Sequence, residues 1–190
     1  MTETRTLLLD LGERAVRTRG FAGFSYADLA RDAGIRKASI HHHFPTKADL
    51  AFALVERYST ALDQRLADIT AREQTAGKQL RAAIALYRSA LGDGDQMCLC
   101  AALATDASLL PEPTLKALDQ TNRQTATWFA QVFASAQEDA TIALGPTSSS
   151  EQEGMAALAL LQGAQLLARS AASPIPFDDA TTALSRRIQG

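Results

Sequence analysis

The sequence predicts an all-α fold, and three observations predict it. Alanine fills 37 of 190 positions and is joined by many Leu, Gln, Arg and Glu, residues that cost little to place in a helix. Aromatic residues make up only 6% of the chain and runs of Val, Ile and Thr are scarce, which leaves little material for a sheet. Apolar residues recur at helical spacing along most segments. With 46% apolar and 21% charged residues, the chain can bury a core and does not have the composition of a disordered protein. Its length suits one compact unit, or a small module joined to a larger bundle.

The first predicted helix runs over 3–19, where Leu7, Leu8, Leu11, Ala15 and Val16 form one stripe. Gly20 ends it, and Phe21 and Phe24 in the connector are candidate core plugs. Ser25 and Asp28 have capping-box spacing, so a short helix follows to Ala33, with Tyr26, Leu29 and Ala30 inward. Gly34 supplies a stop and a tight turn. A second short helix starts near Arg36 and ends by Phe44, because Pro45 cannot continue it. Thr46 and Asp49 repeat the capping box before a long helix to about residue 70. Further helices are expected over 77–91, where GDGD follows, and over 96–108. Pro111 suits the start of a helix reaching about 140, LGPTSSS is a flexible loop, and helices over 150–172 and 177–188 flank SPIP.

Net charge is −2, which excludes a generally basic nucleic-acid coat. The sum conceals an uneven distribution: residues 1–50 carry +2 and residues 51–190 carry −4. Two cysteines are too few for a disulfide scaffold. The first ten residues lack a signal-peptide pattern, and the greasiest stretch, 154–168, contains Gln162 and Gln165 and is too short to span a membrane. A cytoplasmic protein with no membrane partner is expected.

The informative stretch is SYADLARDAGIRKASIHHHFPTKADL, residues 25–50. Two short helices joined by a Gly-containing turn make a helix-turn-helix, whose second helix enters the major groove with its N-terminal residues nearest the bases. Here those residues are Arg36, Lys37, Ala38 and Ser39. Arg and Lys can bond guanine edges, Ser either edge, and Ala can touch a thymine methyl. Thr46 and Lys47, at the next helix start, are candidate phosphate anchors.

GIRKASIHHHFPTKADL resembles the TetR family signature through Gly34, Ile35, Lys37, Ala38, Ser39, His43, Phe44, Pro45, Thr46, Lys47 and Leu50. The match covers roughly residues 5–55. It departs at His41 and His42, where the family usually has Tyr or another aromatic; such residues typically touch phosphate or base. The resemblance implies an N-terminal three-helix DNA-binding domain, 1–46, and a C-terminal helical bundle for effector binding and dimerisation, 47–190. It implies a homodimeric regulator on a pseudo-palindromic double-stranded operator, released by a small-molecule effector and most simply a repressor.

The run His41-His42-His43 invites a metal reading, but consecutive helical residues point about 100° apart and cannot converge on one ion, so no metal or other cofactor is expected. All three are candidate DNA contacts, with His43 partly core. Tyr87, Met97, Leu103, Trp128 and Phe129 are core residues or, in a binding bundle, pocket residues; sequence does not separate the two. Cys98 and Cys100 are small core residues or a redox sensor. The region resembles TetR regulators with a Cys-Leu pair before an Ala-rich helix, some of which sense reactive species, and Cys98 would be the aligned thiol. Ala156, Ala159, Gly163, Ala164 and Leu167 permit close helix approach, in an ordinary buried helix or a dimer interface made with the last helix. No paired-carboxylate iron motif, nucleophile elbow or phosphate loop is present, so an enzyme is not expected. An architectural DNA binder is disfavoured by the acidic remainder.

Overall fold

The computed structural model describes residues 3–145 and 148–189. Nine α-helices occur among them: α1 (Glu3–Arg19), α2 (Tyr26–Ala33), α3 (Lys37–His43), α4 (Lys47–Arg72), α5 (Ala76–Ser89), α6 (Leu99–Ala104), α7 (Glu112–Asp139), α8 (Ser150–Ala171) and α9 (Ile175–Ser185). A 3-10 turn, Ala107–Leu109, lies between α6 and α7. The described residues form no strand, only one isolated bridge between Ile142 and Ile188.

Both predicted capping boxes form. The Ser25 side chain accepts from the Asp28 amide while Asp28 accepts from the Ser25 amide at 2.8 Å. Thr46 and Asp49 repeat the pattern, at 2.8 Å from the Thr46 amide to Asp49. Gly34 closes α2 at φ 66°, a left-handed conformation that a side chain would strain. Two boundaries differ from expectation. The helix expected over 96–108 shrinks to Leu99–Ala104 plus the 3-10 turn, so Cys98 precedes it. The last helix starts earlier, at Ile175, because Pro176 falls in its first turn, where a missing N–H costs nothing. In the LGPTSSS loop, Pro146 and Thr147 lie outside the described residues. At its end, Ser149 and Gln152 form a third capping box.

The chain divides into two compact units, Met1–Thr60 with Leu99–Gln120, and Ala61–Cys98 with Thr121–Gly190. The expected division at residues 46 and 47 follows sequence order, whereas this one follows packing.

In the first unit, α1 packs on α2 and α6, and α2 on α3. Leu8, Leu9, Val16, Leu29, Ile40, Phe44, Leu50 and Leu54 form its core, none more than 2% exposed. Arg57 ties α4 to α1 through Asp10 at 2.6 Å and Glu13 at 2.7 Å. Asp106, just after α6, accepts from the Ala22 amide at 3.1 Å and so holds the α1–α2 connector.

In the second unit, α8 packs on α9, and α5 on both. Phe129, Phe133, Phe177, Leu80, Leu91 and Leu161 are fully buried. Burying one such aromatic side chain stabilises by about 3 kcal/mol. A Cβ on Gly154 would lie 2.5 Å from the Ala126 carbonyl oxygen and 2.6 Å from the Ala130 nitrogen, so α7 and α8 approach as closely as they do because residue 154 has no side chain.

Candidate nucleic-acid interface

The site is built on α2 and α3. Apolar residues at Leu29, Ile40 and Phe44 are drawn inward, and this decides what α3 turns outward. Arg36, extended at φ −76° and ψ 144°, is the N-cap residue, and Lys37, Ala38 and Ser39 follow in the first turn. All four are exposed, with the fully buried Ile40 directly after them. Neither Arg36 nor Lys37 has a carboxylate partner among the described residues, whereas Arg31 is paired with Asp28 at 3.0 Å. The groups expected to read bases are therefore presented together and uncommitted.

The end of α3 is fastened by Tyr26. Its hydroxyl donates to the carbonyls of Phe44 and Thr46, at 3.0 and 2.5 Å. Burial, helped by Asp49, pushes this phenol well above its ordinary range, so it stays neutral. His41 packs edge-on against the Tyr26 ring at 5.0 Å, and its Nδ1 lies 3.0 Å from the Pro45 carbonyl oxygen. His41 and His42 are exposed and His43 is half-buried, with its ring 5.4 Å from that of His42. Among the described residues no group of three His, Cys, Asp or Glu is arranged to hold a metal ion.

Two expected phosphate anchors are placed differently. The Lys47 ammonium donates to the carbonyls of Phe21 and Phe24, and sits 4.5 and 4.1 Å from the centres of their rings. Desolvation lowers its pKa, against the opposing pull of Asp106 and Asp28. Lys47 thus acts as an internal clamp on the α1–α2 connector. A lysine at a helix start reads as a phosphate anchor when its neighbours in space are unknown; two carbonyls and two rings from 23 and 26 residues earlier claim it first. The Thr46 hydroxyl is likewise taken, donating to Asp49 at 2.7 Å.

The expected pocket residues are divided between the two units. Tyr87, Met97, Cys98 and Phe129 are buried in the second unit, with the Tyr87 and Phe129 rings 6.4 Å apart. Trp128 is half-exposed and donates to the Thr70 hydroxyl at 2.9 Å. Leu103 belongs to the first unit. An open groove of about 500 Å³ between α7 and the start of α8 is lined instead by residues such as Arg123, Thr127, Gln131, Glu151 and Met155. Among the described residues neither cysteine is disulfide-bonded, and they are 3% and 4% exposed.

Gln165 was missed by sequence reasoning. It is fully buried, accepts from the Cys98 amide at 2.9 Å and donates to the Tyr87 carbonyl at 2.8 Å. An amide in the apolar run 154–168, one of two there with Gln162, was the signal, since a buried amide must find partners.

On α8, Ala156, Ala159 and Leu167 are exposed and Gly163 is half-exposed. Ala164 departs from this set: at 2% exposure it faces its own core, because adjacent helical residues point about 100° apart. Met155, Leu166 and Leu167 are 52%, 42% and 55% exposed, and Ile175 at the start of α9 is 64% exposed. No helix among the described residues is long and apolar enough to cross a membrane.

Comparison with known proteins agrees with this geometry. The profile of the bacterial regulatory proteins, tetR family, matches residues 8–54. The chain is 27% identical to the HTH-type transcriptional repressor NemR of Escherichia coli K12 over 183 residues, covering 94% of this chain and 90% of that protein. A shorter stretch is more alike still: the HTH-type transcriptional regulator TtgR of Pseudomonas putida is 41% identical over 54 residues, which cover 28% of this chain and 26% of that one. Among solved structures, a TetR-family transcriptional regulator from Agrobacterium tumefaciens superposes with a TM-score of 0.91 at 29% identity, covering 98% of both chains. The reduced form of E. coli NemR superposes with a TM-score of 0.81 at 27% identity, covering 98% of this chain and 97% of that one.

Proposed function

The chain belongs to the TetR family of transcriptional regulators, and from that premise we propose that it is a homodimeric repressor that binds a pseudo-palindromic operator and is released by a small-molecule effector. One observation carries the reading. Arg36, Lys37, Ala38 and Ser39 stand exposed at the start of α3, Arg36 and Lys37 without a carboxylate partner among the described residues, while Ile40 and Phe44 anchor the helix behind them. That is how a recognition helix is presented to a major groove.

Dimerisation is supported by the open face of α8. Met155, Ala156, Ala159, Gly163, Leu166 and Leu167 recur at helical spacing on the side away from the buried residues, and Ile175 of α9 adds to the exposed apolar surface. Leaving that much apolar surface in water is unfavourable, and a second copy laying the same face against it relieves the cost. Two chains then give two recognition helices for two half-sites. The protein acts where the DNA is, in the cytoplasm. An effector releases DNA only if it binds the DNA-incompetent form more tightly.

A second reading is a thiol-responsive repressor sensing through Cys98. In its favour, Cys98 stands outside any disulfide among the described residues and its amide is fixed to α8 by Gln165, so a change in its covalent state would disturb that bond. Against it stands burial, which slows access of an oxidant. The test of both is release from a selected operator duplex by a metabolite panel and by an oxidant, for the wild type and Cys98→Ser. Release by a metabolite that persists in Cys98→Ser supports the effector reading, and release by oxidant alone that is lost in Cys98→Ser supports the thiol.

A further inference from the structure

We infer that Asp106 is a positioning residue for operator binding: it grips the α1–α2 connector and so helps set how the recognition helix is presented. Asp106 lies far beyond the helix-turn-helix and beyond residues 8–54, which the family profile matches. The inference rests on the reading of α3 as the recognition helix. Every residue it uses belongs to the first unit.

The connector over residues 20–25 is irregular backbone whose polar groups need partners. Two side chains distant in sequence supply them. The ammonium of Lys47, the first residue of α4, takes the carbonyls of Phe21 and Phe24. The Asp106 carboxylate takes the Ala22 amide at 3.1 Å. Gly20 makes room for that second grip. It sits at φ 79°, and a Cβ there would lie 2.9 Å from the same carboxylate oxygen. The two grips also support each other. Desolvation lowers the pKa of Lys47, and Asp106, ahead of Asp28, is the carboxylate that opposes this. Asp28 is already engaged, by the Ser25 amide and hydroxyl at 2.8 and 2.7 Å and by Arg31 at 3.0 Å.

Asp106 is itself held in place. Its amide donates to the Leu103 carbonyl at 3.0 Å, and its carbonyl accepts from the Leu109 amide at 2.9 Å. Just before it, α6 is anchored by the buried run Leu99 to Leu103 and packs on α1. A fixed element thus delivers the carboxylate to the connector.

From the connector the constraint continues to α3. Ser25, the last connector residue, caps α2. Tyr26, the next residue, donates to the Phe44 and Thr46 carbonyls at 3.0 and 2.5 Å and so fastens the end of α3. α3 has seven residues, too few to persist alone, so it takes its direction from the groups that hold it. Loosening the connector spreads α3 over more orientations. Operator affinity then falls with the fraction of chains in the competent one. The sign separates this role from that of a bare charge. Removing a carboxylate from a DNA-binding unit ordinarily strengthens its hold on a polyanion; here it should weaken operator binding.

The test compares full-length wild type, Asp106→Ala and Asp106→Asn by fluorescence anisotropy, on a selected operator duplex and on a scrambled one. Asp106→Ala removes the grip and the charge, whereas Asp106→Asn keeps an oxygen for the Ala22 amide. Asp106→Ala should bind the selected duplex about tenfold more weakly. It should bind the scrambled duplex no more weakly than wild type, because non-specific binding is electrostatic and tolerates a loosely held helix. Asp106→Asn should recover most of the loss. A residue that merely stabilised the fold would weaken binding to both duplexes alike, through loss of folded protein. Hydrogen exchange supplies a readout that needs no variant. In the wild type, the selected duplex should slow exchange of the Asp106 and Leu109 amides and the scrambled duplex should not, because coupling between two sites is reciprocal. Selected-duplex affinity in Asp106→Ala equal to or above wild type, an equal loss on both duplexes, or unchanged exchange at residues 106 and 109 in the complex overturns the inference. Wild-type binding that fails to distinguish the two duplexes would instead overturn the operator reading beneath it.

Discussion

Helices α3 and α8 each bury one face and leave the other open, and the open faces are opposites. α3 turns Arg36, Lys37 and Ser39 outward and keeps Ile40 inside. α8 buries Leu158, Leu161 and Gln165, and leaves Met155, Leu166 and Leu167 outside. The usual rule sends apolar residues in and polar residues out, so α3 obeys it and α8 breaks it twice, with an amide inside and a row of apolar side chains outside. The lesson lies in what each face lacks. Cations without a carboxylate partner at the start of a short helix fit a polyanion, and an uncovered apolar face fits another protein surface.

The largest test of this contrast is to make the open face of α8 polar. Met155→Glu with Leu167→Glu leaves the single chain's core intact but places charges inside the proposed dimer contact. Burying such unpaired charges costs about 3–5 kcal/mol, so the variant should be monomeric in sedimentation velocity and bind operator at least about a hundredfold more weakly. A dimer that survives the double substitution would leave α8 without its proposed partner.

Next comes Lys47, which separates an internal clamp from a phosphate contact. Lys47→Met should lower stability by about 2 kcal/mol in chemical denaturation, because two carbonyls lose a charged donor. It should leave the salt dependence of DNA binding unchanged. A slope shallower by about one would return Lys47 to the phosphate track.

Ser25→Ala removes the cap of α2, at about 1 kcal/mol. Its partner Asp28 gives the pH signature. The Ser25 hydroxyl and amide, with Arg31, hold the Asp28 carboxyl down from 3.8 to about 2. A depressed carboxyl contributes stability above its ordinary value and loses it as pH falls from there toward the folded-state value. Asp28→Asn should therefore weaken the fold at neutral pH and show less further loss between about pH 4 and 2 than the wild type. An equal acid loss in both proteins would deny the capping box that contribution.

The smallest effect on the fold is expected at Lys37. Lys37→Ala should change stability by less than about 0.5 kcal/mol and reduce the salt slope by about one. Loss of stability instead would mean that Lys37 supports the fold rather than the contact.

Most of the first unit was legible because its signals are local. Ser25 with Asp28, Gly34, Pro45, and Thr46 with Asp49 mark helix boundaries within three residues of themselves, and the structure places each where the spacing predicts. Lys47 shows the opposite case: its partners Phe21 and Phe24 are distant in sequence, and a lysine alone does not reveal them. In the second unit the helices were legible and the roles of their side chains were not. Gln165 shows why. Whether an amide breaks a greasy helix or fastens Cys98 to Tyr87 depends on which elements fold against it. The same holds for Gly163 and Ala164, adjacent small residues of which only Ala164 is buried in its own core.

The most direct measurement is selection of bound duplexes from a random pool, followed by sedimentation of the protein on the selected site and on a scrambled one. The expected result is an enriched site with two inverted half-sites about one helical turn apart, holding chains in pairs, and far weaker binding to the scrambled duplex. Equal binding to both duplexes, or single chains on the selected site, would contradict the account.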